Sequence, residues 1–260
     1  MSYVFFDIDG TLYDPFIGIP DSCKEAIRLL KERGHHPFIS SGRTKCMIFQ
    51  EVNDLGFDGY VMGAGLQAEY QGKLLFREDL PYDEVKRVVD ILRSFNLMPF
   101  AEGYEHFYYD QTVKCDNLDY VMKIFRFDDL SILRSIDDPD IKTAKISGMV
   151  IDERSDLEGA RRALKDDYFT VVHKSDYLET IKHGASKGGA IKRLSEIIGF
   201  DMEDTYAFGD SFNDYDMLTT VEHGYVMENG DPKLLSLITN HCPPLGEDGI
   251  CRCLRGLGLI

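Results

Sequence analysis

Two aspartates with one residue between them, Asp7 and Asp9, close an apolar run and lead into Gly10-Thr11. The run itself, Val4 to Phe6, has the length and character of a short buried strand that stops at an acid. At the carboxyl end of a parallel strand such a pair would point into the crevice where open α/β sheets bind their ligands. One carboxylate there can attack an electrophile while its neighbour moves a proton. Asp and Gly also follow strands for purely conformational reasons, so the pair needs partners elsewhere in the chain to mean chemistry.

Three later stretches supply candidate partners. A second strand-like piece, His36 to Ile39, runs into Ser40-Ser41-Gly42-Arg43, a small hydroxylic turn ahead of a helix, where free N–H groups can meet an anion. Ser186-Lys187-Gly188 opens an amphipathic helix with Ser186 in N-cap position. A strand from Thr205 to Phe208 ends in Gly209-Asp210-Ser211-Phe212-Asn213-Asp214. The carboxyl ends of all strands in a parallel sheet share one edge, so these groups should converge. Several carboxylates in one crevice repel strongly unless a cation neutralises them. Mg²⁺ takes one or two carboxylates and keeps waters for a phosphate, while an ammonium such as Lys187 suits a phosphate oxygen. On residue chemistry alone Lys187 could equally be a solvated side chain in a first helical turn, Asn213 or Asp214 a helix cap, and the Ser41 hydroxyl part of its turn.

The elements that would position these residues alternate. Pro20 to Arg33 reads as a helix with Ala26, Ile27, Leu29 and Leu30 on its apolar stripe, stopped by Gly34. Thr44 to Leu55 reads as a second helix and Gly59 to Met62 as a third strand, which predicts a doubly wound parallel α/β sheet of Rossmann-like type. Gln67 to Phe76 reads as a hairpin around Gln71-Gly72. From there the pattern changes. Helix Pro81 to Asn96, strands near 97–101, 106–109, 145–151, 169–173 and 178–182, and helices at 117–125 and 156–164 predict an α+β domain inserted into the first. The expected division is residues 1–80 and 184–260 for the core and 81–183 for the insertion. After Ser186 the α/β rhythm returns, with Ala190, Ile191, Leu194, Ile197 and Ile198 on one helical face.

With 260 residues and 43 % apolar content, the chain can bury two cores. Its formal charge of −16 makes nucleic acid and anionic membranes poor partners. No apolar run reaches the roughly 20 residues of a membrane span, and no signal peptide is visible, so a cytoplasmic location is expected. Cysteines at 23, 46, 115, 242, 251 and 253 are scattered and lack zinc-site CxxC spacing, which favours free thiols over disulfides or a soft-metal site around His241 and Cys242. His35, His36, His173 and His183 have no partner acid at motif spacing and are assigned surface or structural roles; Tyr104, Phe107, Tyr108 and Tyr109 are assigned mainly to the core of the insertion.

Taken in order, Asp7-Ile8-Asp9-Gly10-Thr11, Ser41-Gly42-Arg43, Lys187-Gly188 and Gly209-Asp210-Ser211-Phe212-Asn213-Asp214 resemble the motifs of the haloacid dehalogenase (HAD) superfamily. The position of the insertion resembles the cap of its Cof-type sugar-phosphate phosphatases, and Met227-Glu228-Asn229 and Glu247-Asp248-Gly249-Ile250 are similar to late patterns of that group. Gly63-Ala64-Gly65 departs from the usual Asn-Gly-Ala, and Ser40-Ser41 from Ala-Thr. The resemblance implies a Mg²⁺-dependent phosphatase of small phosphorylated metabolites. It makes Asp7 the nucleophile and Asp9 the acid and base. Ser41, Gly42, Lys187 and Asn213 would hold the phosphoryl oxygens. The metal would lie among Asp7, Asp9 (through its main-chain oxygen), Asp210 and Asp214. A phosphomutase on the same scaffold is the nearer alternative, and an aspartate phosphoacceptor of signalling type the more distant one. The latter has no use for a hundred-residue insertion or for an acid–base at Asp9.

Overall fold

The structure is a computed structural model that describes residues 1–113, 130–173 and 176–260. The helix expected at 117–125 and Cys115 lie outside the described residues. The chain divides into two compact units, one of residues 1–42, 50–77 and 186–260, the other of residues 43–49 and 78–185.

The first unit is built on an eight-stranded sheet. Its strands, in chain order, are β1 (Tyr3–Phe6), β2 (His36–Ser40), β3 (Gly59–Met62), β4 (Gln67–Tyr70), β5 (Lys73–Arg77), and then β12 (Thr205–Gly209), β13 (His223–Met227) and β14 (His241–Cys242). Across the sheet they run β14-β13-β12-β1-β2-β3-β4-β5. The pairs from β14 to β3 are parallel, and the pairs β3–β4 and β4–β5 are antiparallel. β1 is central and all four of its residues are buried, so it reads as an unbroken apolar run rather than an alternating one. Phe6 stacks on Phe208 with ring centroids 5.3 Å apart, and Phe208 on Tyr225 at 5.2 Å, tying β1, β12 and β13 together on one face.

Helices cover both faces, as the doubly wound pattern requires. The helix α1 (Asp21–Glu32) buries Cys23, Ala26, Ile27 and Leu30 and ends before Gly34, whose φ of 78° closes the helix without the penalty a Cβ would carry. Leu29, assigned to that stripe, is only half-buried. The helix expected over Thr44 to Leu55 is not continuous: a 3₁₀ turn at Lys45–Met47 precedes a short α2 (Gln50–Asn53).

In the second unit α3 (Tyr82–Ser94) buries Val85, Val88, Val89 and Leu92. It packs with α4 (Leu157–Leu164) against one face of a six-stranded sheet, sharing a core with Leu97, Ala101, Tyr108, Ile146 and Leu178. The strands are β6 (Leu97–Glu102), β7 (Phe107–Tyr109), β8 (Leu133–Ser135), β9 (Lys145–Val150), β10 (Tyr168–His173) and β11 (Tyr177–Lys182), in the order β10-β11-β9-β6-β7-β8. Met98, Phe100, Phe107 and Met149 form a separate cluster with Met47. That packing explains the broken helix at 44–55: residues 43–49 fold with the second unit, and tertiary contact overrides their local periodicity. Phe107 and Tyr108 fall into different clusters because neighbours on a strand point to opposite faces.

One buried polar arrangement in this unit has no counterpart in the sequence pattern. Lys145 Nζ lies 3.2 Å from Glu102 Oε2 and 2.8 Å from Glu179 Oε1, and the other oxygen of Glu179 meets His173 Nε2 at 2.6 Å. Burial alone would raise the Glu179 pKa, but Lys145 and His173 overcome it and hold the carboxyl at about 2. In the first unit His36 Nδ1 pairs with Asp58 at 2.7 Å, and His35 Nδ1 accepts from the backbone N–H of Ser2. His36 and His173 thus pair with acids 22 and 6 positions away, and His35 with a backbone N–H. Cys23, Cys46, Cys242, Cys251 and Cys253 are free thiols. Among the described residues no helix is long and apolar enough to cross a membrane.

Candidate active site

Three neighbouring strands of the first sheet, β12, β1 and β2, each hand over to a residue singled out by its chemistry. Asp7 follows β1 directly, and its N–H still pairs with Phe208 O on β12 at 3.0 Å. Ser41 follows β2, with its N–H on Val61 O of β3 at 2.9 Å. Asp210 follows β12. Because the three strands are adjacent and parallel, these residues share one edge of the sheet.

Lys187 is the first residue of α5 (Lys187–Ile198), a helix capped by Ser186, whose Oγ accepts from Gly189 N at 2.9 Å. Ala190, Ile191 and Leu194 of this helix are buried; Ile197, expected on the same face, is exposed. The Lys187 side chain is only 1 % exposed and reaches inward, with Nζ 2.7 Å from Asp7 Oδ1 and 2.5 Å from Asp214 Oδ1. Its two carboxylate partners hold its pKa above the ordinary lysine value against the opposing effect of burial, so it is a cation. The solvated lysine is excluded.

Asp214 lies at the end of a 3₁₀ turn, Phe212–Asp214, that leads into α6 (Tyr215–Thr220). Its Oδ2 accepts from the N–H groups of Asp210 (3.0 Å) and Ser211 (3.1 Å) while Oδ1 takes Lys187. Asp214 is therefore both a cap of its own turn and a member of the buried cluster. Asn213 is exposed and accepts from Ser211 Oγ at 2.6 Å through its side-chain oxygen. A Cβ placed on Gly42 would stand 3.9 Å from Asn213 Nδ2, so the turn after β2 and the turn after β12 approach each other.

Carboxylate oxygens of Asp7, Asp210 and Asp214 lie within 4.8 Å of one another. Three acids face one ammonium, which leaves two negative charges uncompensated if all are ionised. Burial, with Asp214 and Asp9 adding repulsion against the pull of Lys187, pushes Asp7 up to about 7. Asp210 rises to about 8 through burial and the proximity of Asp7 and Asp214. Its Oδ1 is buried without a hydrogen-bond partner. An orphaned carboxylate oxygen beside two uncompensated charges has the donor chemistry that a hard divalent cation requires.

The turn that carries Asp9 is held by backbone bonds, Leu12 N and Tyr13 N both donating to Ile8 O at 2.9 Å. Asp9 itself is exposed and stands outside the clustered triad, near enough to raise both Asp7 and Asp210 by its charge. Gly10 has φ 87°, and a Cβ there would be 2.2 Å from Asp210 Oδ2, so only glycine lets the loop and the carboxylate approach. Asn229, which sequence reasoning offered only as part of a late pattern, donates from Nδ2 to Gly10 O at 2.8 Å and accepts from Leu245 N at 3.0 Å. It ties the turn that carries Asp9 to the 3₁₀ turn at Leu245–Glu247. Arg43 folds with the second unit, where it donates to Met47 O at 3.1 Å and lies over the Phe49 ring.

A family model for haloacid dehalogenase-like hydrolases matches residues 4–254. The chain is similar to YkrA of Bacillus subtilis (strain 168), a proposed phosphatase by name, with 29 % identity over 99 % of this chain and 98 % of that protein. It is also similar to the HMP-PP phosphatase of Escherichia coli (strain K12), with 26 % identity over 93 % and 89 % of the two chains. Among solved structures it shares its fold with the HAD subclass IIB sugar phosphatase BT4131, at TM-score 0.81 and 22 % identity, covering 100 % of both chains.

Proposed function

The chain belongs to the haloacid dehalogenase-like hydrolase family, and on that premise we propose that it is a Mg²⁺-dependent phosphatase of small phosphorylated metabolites, working through an aspartyl-phosphate at Asp7. The observation that carries this reading is the imbalance at the sheet edge: three clustered carboxylates against one buried ammonium. A Mg²⁺ held by Asp7, Asp210 and the main-chain oxygen of Asp9 would neutralise that excess and draw charge from a bound phosphoryl group. Asp214, whose oxygens already accept from Lys187 and two backbone N–H groups, would support it from beside.

In the proposed reaction the Asp7 carboxylate bonds to phosphorus as the ester O–P bond breaks, and Asp9 gives its proton to the departing alkoxide. Asp9 then takes a proton from water as that water bonds to phosphorus. The Asp7–phosphorus bond breaks and inorganic phosphate leaves. Ser41, the Gly42 N–H, Lys187 and Asn213 would hold the equatorial oxygens, where charge is spread in the transition state. An ammonium has three donors, and with two of them on Asp7 and Asp214 the third is the one a phosphoryl oxygen would take. The unit of residues 43–49 and 78–185 is read as the family's α+β cap, the part that selects the leaving group. Sugar phosphates are the first substrate class to try, followed by HMP-PP, the substrate in the name of the Escherichia coli relative.

The test is a phosphate-release screen over phosphorylated sugars, nucleotides and cofactor precursors, with Mg²⁺ and with a chelator. Stoichiometric inorganic phosphate, lost on chelation and in Asp7→Asn, is the expected result. Undiminished release by Asp7→Asn would overturn the mechanism, and conversion to an isomer without phosphate release would make the protein a mutase.

A further inference from the structure

Lys187 is held at both ends. Its ammonium sits between Asp7 and Asp214. Its backbone is flanked by two residues that bond to the same acceptor, Asp216 Oδ2: Ser186 Oγ donates to it in a short hydrogen bond, and Gly188 N donates to it at 2.8 Å. Asp216 stands in the first turn of α6, two residues beyond Asp214. One short stretch of chain therefore supplies a partner for the head of the lysine and an anchor for its root.

The surrounding backbone is built for this closeness. A Cβ on Gly188 would lie 2.6 Å from Asp216 O and 2.4 Å from Thr220 Oγ1, so the start of α5 is pressed against α6 at a distance only glycine permits. A Cβ on Gly65 would lie 2.2 Å from Ser186 O, which packs the loop after β3 onto the other side of the same turn. Ser186 is thus committed three ways: it caps Gly189 N, donates to Asp216, and is backed by Gly65.

We propose that Asp216 is a positioning residue for the hydrolytic reaction: by binding Ser186 and Gly188 it fixes the backbone of Lys187, so that the ammonium is presented to the phosphoryl group without searching among rotamers. Lys has many side-chain rotamers to lose, and a displacement of roughly 1 Å in a group that contacts the transition state can cost about a hundredfold in rate. Asp216 touches neither substrate nor metal in this account, and its action is through Lys187 alone. The inference rests on Lys187 as a phosphoryl-binding residue.

The experiment has a kinetic arm and a spectroscopic arm. With p-nitrophenyl phosphate and Mg²⁺, Asp216→Ala should lower kcat roughly ten- to a hundredfold while KM moves less than about threefold. Asp216→Asn, which keeps an oxygen able to accept both donors, should restore most of the activity. Ser186→Ala, which deletes one of the two bonds, should fall between them and serves if Asp216→Ala melts below the assay temperature. A purely structural residue would lower the melting temperature and leave the kcat of the folded protein intact, and that result would overturn the proposal. So would an Asp216→Asn variant as impaired as Asp216→Ala. Independently of turnover, the ¹⁵Nζ–¹H signal of Lys187, assigned through Lys187→Arg, should shift or broaden in Asp216→Ala while that of Lys145 stays in place. An unmoved Lys187 signal would overturn the clamp even in an active enzyme. A moved signal in a protein that released no phosphate would overturn the proposed reaction and leave only the clamp on Lys187.

Discussion

Lys187 Nζ and Asp7 Oδ1 are 2.7 Å apart although 180 residues separate them in the chain. The contact closes the first unit by joining the opening strand to the helix that resumes the fold after the insertion. It also places a cation against the proposed nucleophile before any ligand arrives.

Removal of that cation should be costly. A buried ion pair broken by deleting one partner leaves the other charged and desolvated, at about 3–5 kcal/mol. Lys187→Met is expected to destabilise the protein by that order, read as a fall in the urea midpoint at unchanged m-value. Added Mg²⁺ should recover part of the loss by compensating Asp7 and Asp214. A variant as stable as the wild type would mean that the acids are neutral in the folded protein.

Divalent cation should stabilise the wild-type protein for the same electrostatic reason. At a hundred times its dissociation constant Mg²⁺ would contribute about 2.7 kcal/mol, a rise on the order of 5–10 °C in melting temperature for a chain of this length. Above about pH 8, where Asp210 is ionised, Asp210→Asn should melt higher than wild type in chelator, since it removes one of the crowded charges, and it should lose most of the response to Mg²⁺. A response of equal size in that variant would remove Asp210 from the metal site.

Gly10→Ala tests how tightly the Asp9–Gly10 turn is packed. The new methyl would meet Asp210 Oδ2 at 2.2 Å on a backbone with φ 87°. Strain of about 1–3 kcal/mol is expected, together with weaker Mg²⁺ binding as the carboxylate is pushed aside. Calorimetric titration with Mg²⁺ measures the second effect apart from the first.

Glu179 sets a pH dependence in the second unit. Its folded pKa of about 2 lies below the unfolded carboxyl value of about 4.5, so it contributes stability above that unfolded value and loses the contribution as pH falls toward 2. Glu179→Gln should therefore be less stable than wild type at pH 7, by on the order of 3 kcal/mol, and the gap should narrow steadily from pH 5 toward pH 3. A gap constant over that range would show that the effect is packing rather than charge. Glu102, raised by burial, slopes the other way, which is why the comparison must be made between variants.

How much of this was legible beforehand depends on the range of the interaction. Asp7, Ser41 and Asp210 announce themselves because each interrupts an apolar strand at its end, and a parallel sheet leaves such residues only one edge to occupy. Lys187 is readable as the first residue after an N-cap serine, but its burial is not, since nothing near it in sequence says that two carboxylates will receive it. Asp216 carries no local signal: its partners are Ser186 and Gly188, 30 and 28 positions away. Lys145 bonds Glu102 and Glu179 only because β6 and β11 pair on either side of β9, a strand order the pattern does not specify. The helix read over 44–55 failed because Met47 packs into an apolar cluster of the second unit, to which residues 43–49 belong, and a short amphipathic run yields to such a contact.

That displaced segment constrains how such proteins can be recombined. The chain passes between its units at 42/43, 49/50, 77/78 and 185/186, so the inserted unit is two pieces of polypeptide rather than a cassette. A chimaera that exchanged only residues 78–185 would keep its old 43–49 strap and face Phe100 and Met149 with a methionine chosen for a different neighbour. An exchange of the inserted unit should therefore require paired changes, one in the long insert and one in seven residues far upstream of it.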